Sequence, residues 1–531
     1  MKRLLRTVWP YLFLAAICLC LTPRPLQNDT FYLVKIGKHL WSQGPDFQDH
    51  FSWVANFPYL YPHFLFNLLC YFFYATFNFT GLYLLAILLY IVFAFSLFFI
   101  LQSLLSKKSG FAASVLPFLL SLLAVVLLPS FITARSQTLT YSLFLWELFF
   151  LERLLISRKK PKTYLTLLAL DSWFIALTHA ITWPLFFILF LPFLAELLLV
   201  KFLKPSSLYK HRRRLTSLVS KLTLPALSAP ELTSSLRLLA LAALLSLAVG
   251  LLTPSRVCFF AVWKIMQASS QSYIAEHHPL TLVYTLPALV PLLIFLIPLI
   301  FTKAKLSARW FFLFLGLTVL SFISTRHVAL LVSLGSLPLT FLLADLCLKV
   351  NPAFLSAIVE FTPYRLLLFA VLVLSGLNFA NELEKPLLSP DFCPTAAIEF
   401  IKSHFSAELS SGSFRLFNEY NQGAYLLFND LPVFIDSRAN IYTKPFSDFP
   451  RDVFNDYEII ITASDSSSLI PTATPLPLNG STTYDYSSLL DFYQPTHFLL
   501  SKNSTLAKVF LKDPAYQLLY TDDSVYLFSP S

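Results

Sequence analysis

The sequence predicts an α-helical polytopic membrane protein with about 11 transmembrane helices and a C-terminal soluble α/β domain. Three observations carry this prediction. The 531-residue chain is 56% hydrophobic and only 13% charged, against about 25% charged in soluble domains. Apolar runs of helix-spanning length recur from residue 8 to residue 380. The net charge of +10 conceals a division: residues 1–381 hold 30 Lys/Arg and 11 Asp/Glu, whereas residues 382–531 hold 9 and 18.

Basic clusters order the spans, because Lys and Arg are retained on the cytoplasmic side. Lys2, Arg3 and Arg6 place the N-terminus inside. The apolar run 9–21 has the length of a signal-peptide core, but Thr22-Pro23-Arg24-Pro25 offers no small-residue cleavage site, so a retained first helix at 8–22 is expected. A long outer loop, 23–79, follows. Further spans are expected at 80–104, 111–129, 138–156, 163–178, 182–200, 236–253, 280–301, 309–325, 328–348 and 363–380. This assignment leaves Lys107-Lys108, the basic residues at 158–160 and 201–214, Lys303, Lys305 and Lys349 inside. Counting the semi-apolar stretch 59–77 as a span would move the first two clusters outside, so that stretch is expected to lie along the interface or to re-enter. Two domains result: 1–381, with its large first outer loop, and an extracytoplasmic α/β domain, 382–531.

In the tail, 396–405 has helical spacing, 414–417 and 432–435 read as strands, and 458–462 is a short apolar run. A Ser/Thr/Pro-rich loop occupies 464–483, and Asp522-Asp523 is the turn of a hairpin. The six cysteines form neither a disulfide framework nor a metal-type spacing. Because most basic residues sit in short loops between apolar runs, they mark topology, and no nucleic-acid partner is expected.

Eleven acidic residues precede position 382, and the topology puts four of them, Asp29, Asp46, Asp49 and Glu276, at the outer face. The outer ends of other spans add Arg135, His179, Arg256, His277, His278, Arg326 and His327. Such a set can deprotonate a hydroxyl, hold a metal and clamp a phosphate. The plainer reading is that outer loops are polar in any membrane protein and that Arg135 and Arg326 anchor helix ends. Asp171 falls within a span, where a carboxylate is costly and marks function by default; Ser172 and Trp173 could equally satisfy it. Glu147, near Glu152 and Arg153, suggests a structural pair. No HExxH, P-loop, GxGxxG or serine-elbow motif is present.

The order of these residues resembles the polytopic glycosyltransferases of the C type, in particular an uncharacterised bacterial branch with a C-terminal soluble domain. Asn28-Asp29-Thr30-Phe31-Tyr32 follows the first helix as that class's early catalytic aspartate does. Gly44-Pro45-Asp46-Phe47-Gln48-Asp49-His50-Phe51-Ser52 resembles a Pro…Asp…Phe-Ser element. Arg135-Ser136-Gln137 resembles an RPQ element, Leu177-Thr178-His179 an N-x-H element, Glu276 the glutamate of an EW pair and Arg326-His327 an RH pair. In the tail, Tyr420-Asn421-Gln422-Gly423-Ala424-Tyr425-Leu426 and 433–442 look like WGGYL and VFIDGRADLY. The chain departs from the pattern at Ser136 for Pro, Ser437 for Gly and His277 for Trp, and Asp29 has no second carboxylate beside it.

The resemblance implies inverting sugar transfer from a polyprenyl-phosphate donor at the extracytoplasmic face of a bacterial inner membrane. Membrane lipids and the lipid-linked sugar are then the partners. Asp29 would be the general base or metal ligand, with Asp49 second choice for acid/base work. Arg135 and Arg326 would bind the departing phosphate, and His179, Glu276 and His327 would line the cavity. A divalent cation, if one is bound, falls to Asp29. Asp436 and Arg438 are tail-domain candidates, although an Asp–Arg pair after a buried strand often just fixes a loop. Two other classes compete: a transporter or lipid flippase, to which Asp171 points, and a non-catalytic membrane protein whose tail binds a partner.

Overall fold

The computed structural model describes residues 2–106, 115–157, 160–202, 221–256, 258–280, 285–349, 362–463 and 485–531. The Lys107-Lys108 pair, most of the 201–214 basic stretch and the 464–483 loop lie outside these residues. The chain divides into two compact units. One comprises 1–24, 84–259 and 276–385; the other comprises 25–83, 260–275 and 386–531.

The first unit is a helical bundle. Its helices include Lys2–Leu21, Leu116–Leu127, Ser136–Glu152, Pro161–Thr178, Leu191–Phe202, Ala229–Gly250, Thr285–Phe301, Ala308–Ile323 and Thr362–Glu384. One apolar core unites them, from Leu14 and Phe93 through Leu148 and Trp183 to Trp310 and Leu337. Leu and Phe dominate it, which suits helices that meet side chain to side chain. One polar chain crosses the bundle: the Trp183 ring nitrogen donates to Ser172 Oγ at 2.7 Å, and Ser172 donates to the Ser246 carbonyl at 2.9 Å.

An ion triad, Arg309 with Glu152 and Glu196, is buried in the same bundle. Arg309 Nη1 lies 2.6 Å from Glu196 Oε1, and its Nε lies 2.9 Å from Glu152 Oε2. The expected pairing of Glu147 and Glu152 with Arg153 is not what forms, because Arg153 Nη2 donates instead to the Ser103 carbonyl at 2.8 Å.

Every run predicted to span contains helix, but the lengths differ. Among the described residues, four helices are long and apolar enough to cross a membrane: Phe64–Leu105, Ala180–Phe202, Ala229–Gly250 and Arg365–Glu384. The pair Thr325–Leu334 and Ser336–Cys347, bent by 41°, makes a fifth if counted as one broken span. Val8–Leu21, Leu116–Leu127, Thr285–Phe301 and Ala308–Ile323 are shorter apolar helices. The 59–77 stretch is helical from Phe64 onward. Its helix is interrupted at Phe77 and Asn78, where φ/ψ of −131°/15° and 53°/−147° break the hydrogen-bond ladder.

The second unit is an α/β assembly. Its four strands, β1 (Leu416–Asn418), β2 (His497–Ser501), β3 (Tyr516–Thr521) and β4 (Val525–Pro530), lie in the order β1-β2-β4-β3. β1 and β2 are parallel; the β2–β4 and β3–β4 pairs are antiparallel. Asp522 Oδ1 accepts from the Ser524 and Val525 amides at 2.8 and 2.9 Å and so closes the predicted hairpin. The 432–435 segment is not a ladder strand. Asn418 replaces the ladder there: its Oδ1 accepts from the Phe434 amide and its Nδ2 donates to the Ile435 carbonyl, both at 2.8 Å. The apolar run 458–462 lies mostly in the helix Val453–Ile461, which Asp452 caps by accepting from the Asn455 amide at 2.9 Å.

The outer loop belongs to this second unit and is largely ordered. Its helix Asn28–Gln43 packs Phe31 edge-on against Tyr425 of the helix Tyr420–Phe428. Gly423 is required there, since a Cβ would sit 2.1 Å from the Ile435 carbonyl oxygen. The segment 260–275 joins the same unit: Ser269 donates to Asp452 Oδ1 at 2.9 Å and Tyr273 to Asn455 Oδ1 at 3.2 Å.

Candidate functional site

In the helical unit, three predicted residues converge. Arg135 precedes the helix Ser136–Glu152, in extended backbone that turns its side chain away from the helix. Its Nη1 lies 3.1 Å from Glu276 Oε1. Arg326, in the short turn Thr325–His327, is near enough to act on the same carboxylate. Partial burial raises the Glu276 carboxyl, but the guanidiniums of Arg135 and Arg326 outweigh it and hold the group below the usual carboxylate range. Two main-chain ties fix the turn: Ser324 Oγ donates to the Glu276 carbonyl at 2.8 Å, and the Thr325 amide donates to the His278 carbonyl at 3.0 Å.

The histidines are held at the edges of this cluster. Burial, then Arg326, pushes His277 down from its ordinary 6.5 to about 4, so it is neutral near pH 7. His179, almost fully buried, has its Nδ1 3.0 Å from Thr140 Oγ1. His327 Nδ1 lies 3.2 Å from the Leu320 carbonyl, which makes that nitrogen the protonated one. The cluster is half-open: the Arg135 side chain is 22% exposed and that of Glu276 is 47% exposed. Two guanidiniums sharing one carboxylate leave donor capacity for a second anion, and a phosphate oxygen has the matching geometry.

In the other unit, Asp29 stands in the first turn of the helix Asn28–Gln43, where free backbone N–H groups favour a negative charge. Asp49 is fully buried. It accepts from Arg438 Nη1 at 2.6 Å and from the amides of Phe51 and Ser52 at 3.3 and 3.1 Å. Arg438 in turn donates from Nε and Nη2 to Asp436 at 2.9 and 2.6 Å, and Tyr442 donates to the same carboxylate. The rings of Phe51 and Tyr59 lie 5.3 and 5.4 Å from the guanidinium carbon. This triad ties the 49–53 loop to the 433–438 segment, and none of its three side chains is more than 2% exposed.

Sequence reasoning missed a third cluster. Among the described residues, the one group of three or more His, Cys, Asp or Glu with donor atoms close enough to share an ion is His39, Asp46 and His50, all within 4.8 Å of one another. Asp29 is not part of it. Gly44 supplies the turn that brings Asp46 back beneath His39; with φ +81° it caps the helix by donating to the Leu40 carbonyl at 3.1 Å. The next constraint is Phe47 at φ 61°, a left-handed conformation that costs a bulky residue about 1–3 kcal/mol. A non-glycine residue in that conformation leaves no sequence signature, so the fold-back was not legible.

The whole-chain architecture has solved counterparts. A crystal structure of the oligosaccharyltransferase of Archaeoglobus fulgidus in the apo form aligns with a TM-score of 0.56 at 12% identity, covering 93% of this chain and 69% of that one. The fold is that of the C-type glycosyltransferases. A second structure, the archaeal oligosaccharyltransferase AglB in complex with an inhibitory peptide and a dolichol-phosphate, aligns with this chain at a TM-score of 0.51 and 11% identity, over 94% and 70% of the two chains. No family model matches the sequence, and no curated protein matches it. A C-type glycosyltransferase fold built from these apolar helices is a membrane-protein fold.

Proposed function

We propose that this chain is a membrane glycosyltransferase that moves a sugar from a polyprenyl-phosphate donor to a lipid, glycan or protein acceptor, with inversion. The observation that carries the reading is the likeness to an oligosaccharyltransferase over 93% of the chain. The AglB neighbour is described with a dolichol-phosphate and a peptide, which supports a lipid-linked partner. By the positive-inside rule the reaction lies at the extracytoplasmic face of a bacterial inner membrane, with the N-terminus cytoplasmic.

In this reading the acceptor oxygen attacks the anomeric carbon, the bond from that carbon to the phosphate oxygen breaks, and the electron pair leaves with the lipid phosphate. Asp29 takes the acceptor proton or holds a divalent cation; Asp49, the second choice from the sequence, is fully buried in its pair with Arg438 and keeps a structural role. Arg135 and Arg326 stabilise the charge that develops on the phosphate, as preorganised donors do elsewhere. His179, Glu276 and His327 shape that pocket, and the tail domain selects the acceptor.

The test is Asp29→Asn in membranes supplied with a labelled lipid-linked sugar. Transfer should fall to background while expression and thermal unfolding stay unchanged. Full activity in that variant sinks the catalytic assignment. One observation favours transport instead: Glu147 and Asp171, both buried in the bundle, are close enough for their charges to interact. Substrate-dependent proton flux that Asp171→Asn abolishes, with no sugar transfer, would select that reading.

A further inference from the structure

We infer that His39, Asp46 and His50 form a binding site for a divalent transition-metal ion of the zinc class. The site lies wholly within the α/β unit and uses none of the side chains assigned to sugar transfer.

The three donors come from two rigid supports. His39 sits in the penultimate turn of the helix Asn28–Gln43, and Asp46 and His50 lie in the loop that Gly44 folds back beneath it. Asp46 is oriented before any ion arrives. Its Oδ1 accepts from the Tyr61 hydroxyl at 2.6 Å and from the Gln48 amide at 3.3 Å, which turns Oδ2 toward both imidazoles. A ligand held in this way by an outer hydrogen bond is the usual support of a protein metal site.

The imidazoles answer that carboxylate. His39 Nε2 is 3.2 Å from Asp46 Oδ2, His50 Nε2 contacts the same oxygen, and the two rings are 5.3 Å apart. His39 Nε2 is sealed from solvent yet has no well-aligned hydrogen bond among the described residues. At that distance the ring nitrogen and the carboxylate pair directly when the imidazole is protonated and share a cation when it is neutral. An ion about 2.1 Å from each donor needs donor separations of about 3.3–4.2 Å. The His39–Asp46 separation of 3.2 Å lies at the short edge of that range, and rotation of the exposed His50 ring away from Asp46 Oδ2 opens the shorter contact to it.

Donor chemistry selects the ion. Two imidazoles and one carboxylate suit Zn²⁺ and its first-row neighbours, whereas Mg²⁺ and Ca²⁺ prefer all-oxygen sets. Three protein donors leave at least one position open. It faces solvent, since the Asp46 and His50 side chains are 39% and 44% exposed. Water or an oxygen of a bound ligand takes that position. The ion pins the loop carrying Asp49 to the helix carrying Asp29.

The experiment uses the full-length chain, purified in detergent through a histidine-free tag and stripped with chelator. Titration with Zn²⁺ should show one ion per chain, bound 10–100-fold more weakly after His50→Ala or His39→Ala. Because His39 is packed and its variant risks misfolding, His50→Cys provides an independent signal. It should keep Co²⁺ bound and add a thiolate-to-cobalt absorption absent from the wild type. Equal Zn²⁺ affinity in the wild type and His50→Ala overturns the site, as does a wild-type chain that binds no Zn²⁺. A chain that binds Mg²⁺ or Ca²⁺ at these residues in preference to Zn²⁺ overturns the assigned class.

Discussion

Arg438 and Arg135 each meet a carboxylate distant in sequence, and the two arrangements differ in how much of each arginine is committed. Arg438 is 2% exposed and shared between Asp49 and Asp436, with backbone amides and Tyr442 taking up the remaining carboxylate lone pairs. Nothing is left over. Around Glu276 the proportion is reversed: two arginines share one carboxylate that is nearly half exposed. The same residue types therefore make a closed clamp in one unit and a half-exposed cluster in the other. Stoichiometry and exposure separate the two cases, and residue identity does not.

The largest expected effect breaks the closed clamp. Arg438→Met leaves two carboxylates buried without a countercharge, which costs about 3–5 kcal/mol. Thermal unfolding and limited proteolysis should show a destabilised α/β unit. A variant as stable as the wild type would mean that the clamp carries no net stability.

The open cluster should respond the other way. Arg326→Ala or Arg135→Ala should leave stability within about 1 kcal/mol, as for exposed ion pairs. Initial rates of sugar transfer should fall by about 10²–10³, the loss typical of removing one preorganised donor. Equal losses of stability and rate would erase the contrast. Glu276→Gln sharpens it: removing the competing carboxylate should tighten the binding of a lipid-phosphate product by about two- to fivefold, an electrostatic gain of the order seen for partly screened charges. Weaker product binding would mean that Glu276 instead positions Arg135.

The smallest effect is a pH dependence. His277 is held down to about 4 from an ordinary 6.5, so between those values the unfolded chain binds a proton that the folded chain does not. Stability is then full above pH 6.5 and declines as the pH falls toward 4. After solvent screening the loss amounts to about 1 kcal/mol or less. Unfolding midpoints measured at pH 7 and pH 4.5 should converge in His277→Gln relative to the wild type.

The parts of this structure that were legible in the sequence are those fixed by local pattern. Apolar runs of helical length gave the helices, and Asp522 announced its hairpin because an aspartate accepts from amides two and three residues ahead. Arg135 and Glu276 were legible as neighbours only through topology, being 141 positions apart. What failed depended on a single distant side chain. The 432–435 segment has the composition of a strand, but Asn418 takes the hydrogen bonds of Phe434 and Ile435, and only Val433 bridges to residues 51–53. Arg153 sits beside Glu152 in sequence, yet Arg309 takes that carboxylate from 157 positions away. His39 and His50 were passed over because the turn that joins them relies on Phe47 in a conformation no residue type signals.

The buried Arg309 triad bears on how the chain is made. Glu196 and Glu152 precede Arg309 by 113 and 157 positions, so both carboxylates are synthesised before their countercharge exists. Glu152 closes its helix and Arg309 is the second residue of its own, so the triad sits at helix ends, where a charge costs less than the about 2.5–3.5 kcal/mol of a helix centre. Helices 136–152 and 191–202 carry acids without this partner until the helix beginning at Ala308 arrives and neutralises them. A nascent chain halted before residue 309 would present quality control with two orphaned acids, and assembly of the bundle acquires a direction in time, from first helix to last.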